Sequence, residues 1–180
     1  MKNNKGFSLV ELIIVIAIMA ILVGVIAPQL ILYIEKSRVA ADTQYCDSIR
    51  EAITIACSDI AVINDPASQA AIKWYTSFPD AGGANYWVKE FAYGYTSADT
   101  AFGRTVRDIM GWKVGDQAEV LSGIKSKARQ HSCDMGIMAS KSNTLYIYIA
   151  NSDRQCNGNF TSNPENCICS PVWKEESFAQ

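Results

Sequence analysis

The chain has 180 residues, a hydrophobic content of 49% and a formal net charge of −2 at pH 7. This slightly acidic balance argues against general nucleic-acid binding, which depends on a strongly basic surface. Residues 65–180 are numerous enough for one modest hydrophobic core but not for two. We find no internal repeat and no domain linker, so the order of segments along the chain is the main source of information.

A long apolar run extends over residues 9–34 and contains one charged residue, Glu11, near its start. The uninterrupted part, residues 12–34, is about 23 residues, or ~34 Å as a helix, which is enough to cross a bilayer. A carboxylate in or near hydrocarbon costs several kcal/mol unless it is neutralised. Glu11 is therefore predicted to have a function beyond membrane anchoring.

Two ordinary explanations of this run are less satisfactory. A secretory signal peptide has a basic start, a short apolar core and a small-residue cleavage site after that core. Lys2 and Lys5 supply the basic start here, but the run is too long and a carboxylate opens it. A plain membrane anchor with its lysines on the cytoplasmic side explains the length but not Glu11.

The stretch KGFSLVEL at residues 5–12 resembles the processing site of type IV prepilins and of the related pseudopilins of secretion and DNA-uptake machines. That family has a short basic leader ending in glycine, then an aromatic residue or methionine, and a glutamate as the fifth mature residue. The chain matches each position and varies only at Ser8, where threonine is commoner. The resemblance covers roughly the first 40 residues, and the remainder only as an architectural expectation.

The resemblance implies that residues 1–6 are a leader, which a membrane-embedded prepilin peptidase removes by cutting between Gly6 and Phe7. The same enzyme would N-methylate Phe7. The new amine is a cation, and Glu11 is the anion that it can meet across a subunit boundary. Such a pair is strong at low dielectric, whereas either charge left alone is costly. Glu11 is therefore the expected assembly residue.

Gly24 and Pro28 mark a weak point in the helix. Pro28 has no N–H to donate to the carbonyl of Gly24, and glycine is about 1 kcal/mol poorer than alanine in a helix. One interpretation is a gentle kink that neighbouring packing tolerates. The family resemblance implies a larger distortion, in which this stretch bends in the free subunit and unwinds in a filament. The sequence leaves both open.

Beyond residue 34 the composition becomes polar while the helical period continues. Apolar residues recur at spacings of three and four, which predicts that residues 35–64 continue the same helix with an apolar face toward a head; they are Cys46, Ile49, Ile53, Cys57 and Ile60. The end is expected near Asn64, before Pro66. Residues 7–34 are then the transmembrane or filament-core part, as in the long helix that is the spine of a pilin.

The head, residues 65–180, is expected to contain a small antiparallel sheet laid against the helix. Alternation over residues 144–150 predicts its clearest strand, with residues 136–140 as its partner. The sequence does not decide the secondary structure of residues 86–95. Short helices are predicted at residues 104–112 or 118–129. A loop is predicted at residues 151–171. The predicted fold class is therefore α+β and type IV pilin-like.

Six cysteines in an exported domain predict a disulfide framework; they are Cys46, Cys57, Cys133, Cys156, Cys167 and Cys169. Cys46 and Cys57 lie ~16 Å apart along one helix, beyond disulfide reach, so each, if oxidised, must bond into the head. Such a bond would add roughly 2–4 kcal/mol. Alternatively some cysteines are reduced and buried. The resemblance also implies a C-terminal loop closed from Cys156 to Cys167 or Cys169.

Enzyme motifs are weak, and no cofactor or metal is expected. His131 is the only histidine and has no nucleophile motif beside it, and Cys-x-Cys lacks the usual zinc spacing. A basic strip is formed by Lys125, Lys127, Arg129 and His131. We interpret it as a solvated face, and a DNA contact is the alternative.

The resemblance implies a pilus subunit with a role in adhesion, surface motility or aggregation. A pseudopilin of a secretion or DNA-uptake machine and a non-polymerising, membrane-anchored binding protein are the alternatives. The expected partners are the prepilin peptidase, copies of the chain or related pilins, an inner-membrane assembly platform and, before assembly, the lipid bilayer. A host surface or DNA has no support in the sequence. The precursor is expected in the cytoplasmic membrane as a single-pass protein with its head outside, and the mature form in a surface filament.

Overall fold

The computed structural model describes residues 8–77, 86–126, 134–140, 145–150 and 168–170. The chain divides into two compact units, residues 1–37 and residues 38–180. In the first unit the described residues form the beginning of one helix, and in the second the remainder of that helix lies with shorter helices and a sheet.

The helix α1 extends over Leu9–Ser58, which confirms the predicted long N-terminal helix. It includes Pro28 without a break in its helical assignment. Its N-terminal part has a mean hydropathy of 3.2 over 18 residues and is long and apolar enough to cross a membrane. Because a proline removes only one backbone hydrogen bond, the strongly apolar flanks can continue the helix past it.

Beyond Ser58 the structure differs from the expectation of one continuous helix to Asn64. Asp59 has extended backbone, and its carboxylate accepts a hydrogen bond from the N–H of Ala61 at 2.8 Å. Aspartate is a strong N-cap, so a new helix, α2, begins there and extends over Ile60–Ile63. A 3-10 turn at Pro66–Ser68 and the helix α3, Gln69–Thr76, follow; neither was predicted.

The sheet contains four antiparallel strands in the order β1-β2-β3-β4; they are β1 (Tyr86–Glu90), β2 (Asp134–Ser140), β3 (Leu145–Ala150) and β4 (Ile168–Ser170). The predicted pairing of residues 136–140 with residues 144–150 is confirmed, with Ile137 opposite Ile147. The α+β class is therefore confirmed as well. The strand β4 lies within the segment that was predicted to be a loop.

Three short helices connect β1 to β2: α4 (Tyr93–Ser97), α5 (Ala101–Met110) and α6 (Gln117–Ser122). The uncertain residues 86–95 therefore divide into a strand and the start of a helix. The helix α5 begins earlier than predicted because the Thr100 hydroxyl caps it. It ends at Met110 and is capped by Gly111, whose φ of 70° is left-handed. The helix α6 ends at Ser122, well before Arg129, which lies outside the described residues.

The core of the second unit lies between one face of α1 and the sheet. Cys46, Ile49 and Ile53 of α1 are buried in the same cluster as Ile137 and Ile147 of the sheet. This confirms most of the predicted apolar face. The exception is Ile60, which is 74% exposed. The break at Asp59 interrupts the helical period, so the residue no longer follows the face of α1.

Candidate functional site

Glu11 lies in the first turn of α1, three residues after Ser8. The backbone N–H of Ser8 donates to Oε2 of Glu11 at 2.9 Å. This bond is one half of a capping box, in which an acidic side chain satisfies an N–H at the start of its own helix. The S-x-x-E spacing at residues 8–11 is the sequence signal for it. Glu11 thus has a role within its own subunit in addition to the predicted role between subunits.

The side chains around Glu11 are apolar and uncovered. Every described side chain from Ser8 to Ile34 is exposed, and the apolar window of α1 has 0% of its residues buried. A helix that is apolar all round is normally buried in a core or a membrane. This segment is therefore long and apolar enough to be covered by a bilayer or by other protein chains. Gly24 belongs to it, with no atom within 4 Å of the position of an added Cβ.

Gly6 and Phe7, the predicted cleavage and methylation residues, lie outside the described residues. The pairing of Glu11 with a neighbouring amine also stays a prediction. What the structure adds is that the carboxylate lies at the very start of the helix, within a few residues of the amine that cleavage would create.

A second charged residue of α1, Asp42, is fully buried in the second unit. Its two carboxylate oxygens accept the backbone N–H groups of Lys125 at 2.7 Å and of Ser126 at 2.9 Å. A buried carboxylate is tolerated only when hydrogen bonds of this kind replace its hydration. Asp42 was not predicted as a functional residue from the sequence. The available signal was its position four residues before Cys46, in line with the apolar face.

Tyr45, another residue of α1, contacts the chain just before Lys125. Its hydroxyl donates to the carbonyl of Val120 at 2.7 Å, and burial raises the pKa of Tyr45 to about 12. Its ring lies against Gly123 so closely that a Cβ there would overlap it. We call Asp42 and Tyr45 together with residues 120–126 the head clamp. The head clamp fixes the chain after α6 onto α1.

The predicted bonds from the cysteines of α1 into the head are not tested by the described residues. Cys46 is fully buried and Cys57 partly buried, and no disulfide joins either of them in the described part of the chain. Cys133, Cys156 and Cys167 lie outside the described residues, as does the side chain of Cys169. The alternative of reduced, buried cysteines fits Cys57, a free thiol here. The wider disulfide framework stays a prediction.

Burial raises the pKa of the Cys57 thiol to about 11. At pH 8 only about 0.1% of such a group is thiolate, so we expect iodoacetamide to label Cys57 roughly 100-fold more slowly in the folded chain than in denaturant. Mass spectrometry of the Cys57 peptide over time measures both rates. Labelling that requires prior reduction, even in denaturant, would instead place Cys57 in a disulfide.

Glu119 of α6 organises the loop between α5 and α6. Its carboxylate accepts the backbone N–H groups of Lys113, Val114 and Gly115 at 2.8, 2.7 and 2.8 Å. These hydrogen bonds hold the pKa of Glu119 below its usual range, and the bond from the N–H of Lys113 has the largest effect. The hydroxyl of Ser68 and the N–H of Ala101 likewise lower the pKa of Asp65. Both carboxylates stabilise the fold in their ionised form.

The head is therefore expected to lose stability in acid. A carboxylate whose pKa is lower in the folded chain than in the unfolded chain stabilises the fold fully at a pH above its unfolded pKa. This stabilisation is lost as the pH falls through its folded pKa. Denaturant midpoints measured from pH 6 down to pH 3 should fall less steeply for Glu119→Gln than for the wild type. Parallel pH profiles for the two proteins would exclude a contribution from Glu119.

The remaining predicted residues form no further site in the described part of the chain. Lys125 is exposed, while Lys127, Arg129 and His131 of the basic strip lie outside it. No group of three or more potential metal ligands occurs among the described residues.

Comparison with known proteins identifies one family, described as the prokaryotic N-terminal methylation motif, which matches residues 1–27. No curated protein and no solved structure matches the chain. The matched residues include the predicted leader, Gly6, Phe7, Glu11 and most of the apolar run. This motif indicates a structural protein rather than an enzyme. The chain thus has the N-terminal signature of type IV pilins and pseudopilins, followed by an α+β fold consistent with that of type IV pilins.

Proposed function

We propose that the chain is the structural subunit of a type IV pilus, cleaved after Gly6, methylated at Phe7 and polymerised through α1. The observation that supports this most directly is the combination of the methylation motif with a helix whose apolar surface is exposed on all sides. A bilayer can cover that surface in the precursor. Neighbouring copies of the same helix can cover it in a filament.

The contact of Glu11 with Ser8 is compatible with a role in assembly. The bond uses Oε2, and no described residue donates a hydrogen bond to Oε1; an ionised carboxylate can accept up to about four hydrogen bonds. Glu11 can therefore retain its own cap while it pairs with the methylated amine of a neighbouring subunit. An incoming subunit that supplies this amine removes an unpaired charge from an apolar environment. The same step fixes the register of the two helices.

A pseudopilin is the second candidate because the methylation motif is shared by both classes. Pseudopilins tend to have smaller heads and fewer disulfides. The large head of residues 65–180 and the six cysteines therefore favour the pilus subunit. A solitary anchored protein is disfavoured by Glu11, which anchoring alone does not need.

Mass spectrometry of material sheared from cells of the source organism tests the proposal. We expect abundant mature chain that begins at N-methylated Phe7 in the fibre fraction. The same processed chain found only in membranes would support the pseudopilin instead. A chain that still begins at Met1 would overturn both assignments.

A further inference from the structure

Two tyrosines of the sheet are buried outside the core. Tyr146 and Tyr148 of β3 are each 7% exposed, but neither belongs to the core cluster that contains Ile147 and Ile149. Successive side chains of a strand point to opposite faces of its sheet. The two tyrosines therefore lie on the face of the sheet that is opposite this core. We call it the tyrosine face.

The tyrosine face extends across the neighbouring strands. Tyr148 pairs with Gly136 of β2, and its ring lies so close to Gly136 that a Cβ there would overlap it. The register also aligns Tyr146 with Met138 of β2, and Met138 with Val88 of β1. An antiparallel sheet commonly leaves its second face in water. The burial of both tyrosines indicates instead that a further layer of the protein covers this face.

The covering layer belongs to the same copy of the chain, because both tyrosines are buried in a single copy. The described helices pack on the other face of the sheet. Ile49 of α1, Phe102 of α5 and Val120 of α6 are all members of the core cluster. The source of the cover that remains is the part of the second unit outside the described residues.

The C-terminal residues 171–180 have the composition and the starting point for this role. Their sequence, PVWKEESFAQ, contains a valine, a tryptophan and a phenylalanine. The strand β4 pairs with β3, and its last residue, Ser170, is opposite Ile147, so the chain leaves the sheet beside Tyr146. Neighbouring strands are about 4.8 Å apart, and ten extended residues reach up to ~33 Å. Trp173 can therefore reach both tyrosines of β3.

The other segments of the second unit outside the described residues fit this role less well. Residues 127–133 and 141–144 contain no large apolar side chain. Residues 78–85 lead into β1, which is two strands away from β3. Residues 151–167 are mainly polar and contain one large apolar side chain, Phe160.

We propose that residues 171–180 pack on the tyrosine face, with Trp173 over Tyr146 and Tyr148, and form a second apolar layer of the head. The sheet then lies between the second part of α1 and the C-terminal segment. Burial of an aromatic ring against other aromatic rings is among the larger contributions that one side chain makes to a fold. The C terminus is thus a structural part of the head.

Photo-crosslinking from residue 173 tests this contact directly. The full chain in detergent, with benzoyl-phenylalanine at position 173, is irradiated, and the monomer is isolated and digested with trypsin. We expect the peptide of residues 155–174 to be joined to that of residues 142–154, which contains β3, or to that of residues 130–141, which contains β2. A monomer with crosslinks only to other peptides, or with none, would overturn the proposal.

Nitration by tetranitromethane gives an independent test on the same full chain. Trp173→Ser should raise the nitration rates of Tyr146 and Tyr148 about tenfold or more, because it uncovers their rings. Tyr75, which is buried in the core cluster, should stay protected. Phe160→Ser is the matched control and should leave all three rates unchanged. Faster nitration in Phe160→Ser alone would assign the cover to residues 151–167, and faster nitration of Tyr75 in Trp173→Ser would contradict a local cover. Neither experiment depends on filament formation, so the proposed function can fail without affecting this result.

Discussion

Glu11→Ala is expected to leave the protein in the membrane while lowering the yield of filaments at least ~100-fold. The reason is that the methylated amine of a neighbouring subunit would enter an apolar environment without its counter-ion, and an unpaired buried charge costs about 3–5 kcal/mol. Membrane insertion should be unaffected because the apolar run remains intact. Immunoblots of sheared and membrane fractions measure both quantities. Filaments at the wild-type level would refute the pairing mechanism.

Glu11→Gln separates the two roles of this side chain. Glutamine can still accept the hydrogen bond from Ser8 at the start of α1, but it has no charge to offer a neighbouring amine. We expect Glu11→Gln to lose filaments almost as completely as Glu11→Ala. Ser8→Ala retains the backbone N–H that makes the bond and should assemble normally. A Glu11→Gln protein that assembles well would assign Glu11 to helix capping alone.

Asp42→Ala is expected to be the most destabilising single change in the head clamp. It removes two charge-assisted hydrogen bonds, to Lys125 and Ser126, and leaves the buried N–H of Ser126 without its acceptor. Such bonds are worth about 1.5–3 kcal/mol each. The free energy of unfolding should therefore fall by about 3–5 kcal/mol, with a drop in Tm on the order of 10 °C. Near-UV circular dichroism of the full chain in detergent measures the melting.

A matched control for Asp42 is available on the same helix. Glu51 is exposed, and Glu51→Ala should change the stability by less than about 0.5 kcal/mol. Asp42→Asn retains one acceptor and should fall between the two. If Asp42→Ala melts together with Glu51→Ala, the head clamp contributes little and the apolar core alone holds the segment.

Periodic parts of the structure could be predicted from the sequence. The helix α1 repeats apolar residues at spacings of three and four, and β3 alternates them, so both patterns report a local geometry. The strands β2 and β3 are adjacent in the chain, so their pairing is also a local feature. The predicted end of α1 was wrong because the apolar spacing continues through Ile60. The capping hydrogen bond of Asp59 that breaks the helix leaves that spacing unchanged.

The candidate site was predictable where one residue contradicts its surroundings. Glu11 is a charge in an apolar run, so the cost of burial alone marks it. Asp42 lies between Ala41 and Thr43, and its partners are more than 80 positions away in the chain. Its position four residues before Cys46 is in line with the apolar face of α1, but the local sequence does not contain the N–H groups that make its burial possible.

The uniform exposure of residues 8–34 has a thermodynamic meaning for a subunit of the proposed kind. Lipid tails and aliphatic side chains are about equally apolar, so exchanging one for the other around this helix is nearly neutral in hydrophobic free energy. The direction of that exchange is then decided by small terms, such as one ion pair or one patch of surface contact. For a subunit of this kind, the free energy of leaving the bilayer for a filament would therefore be small, and its sign would depend on those terms.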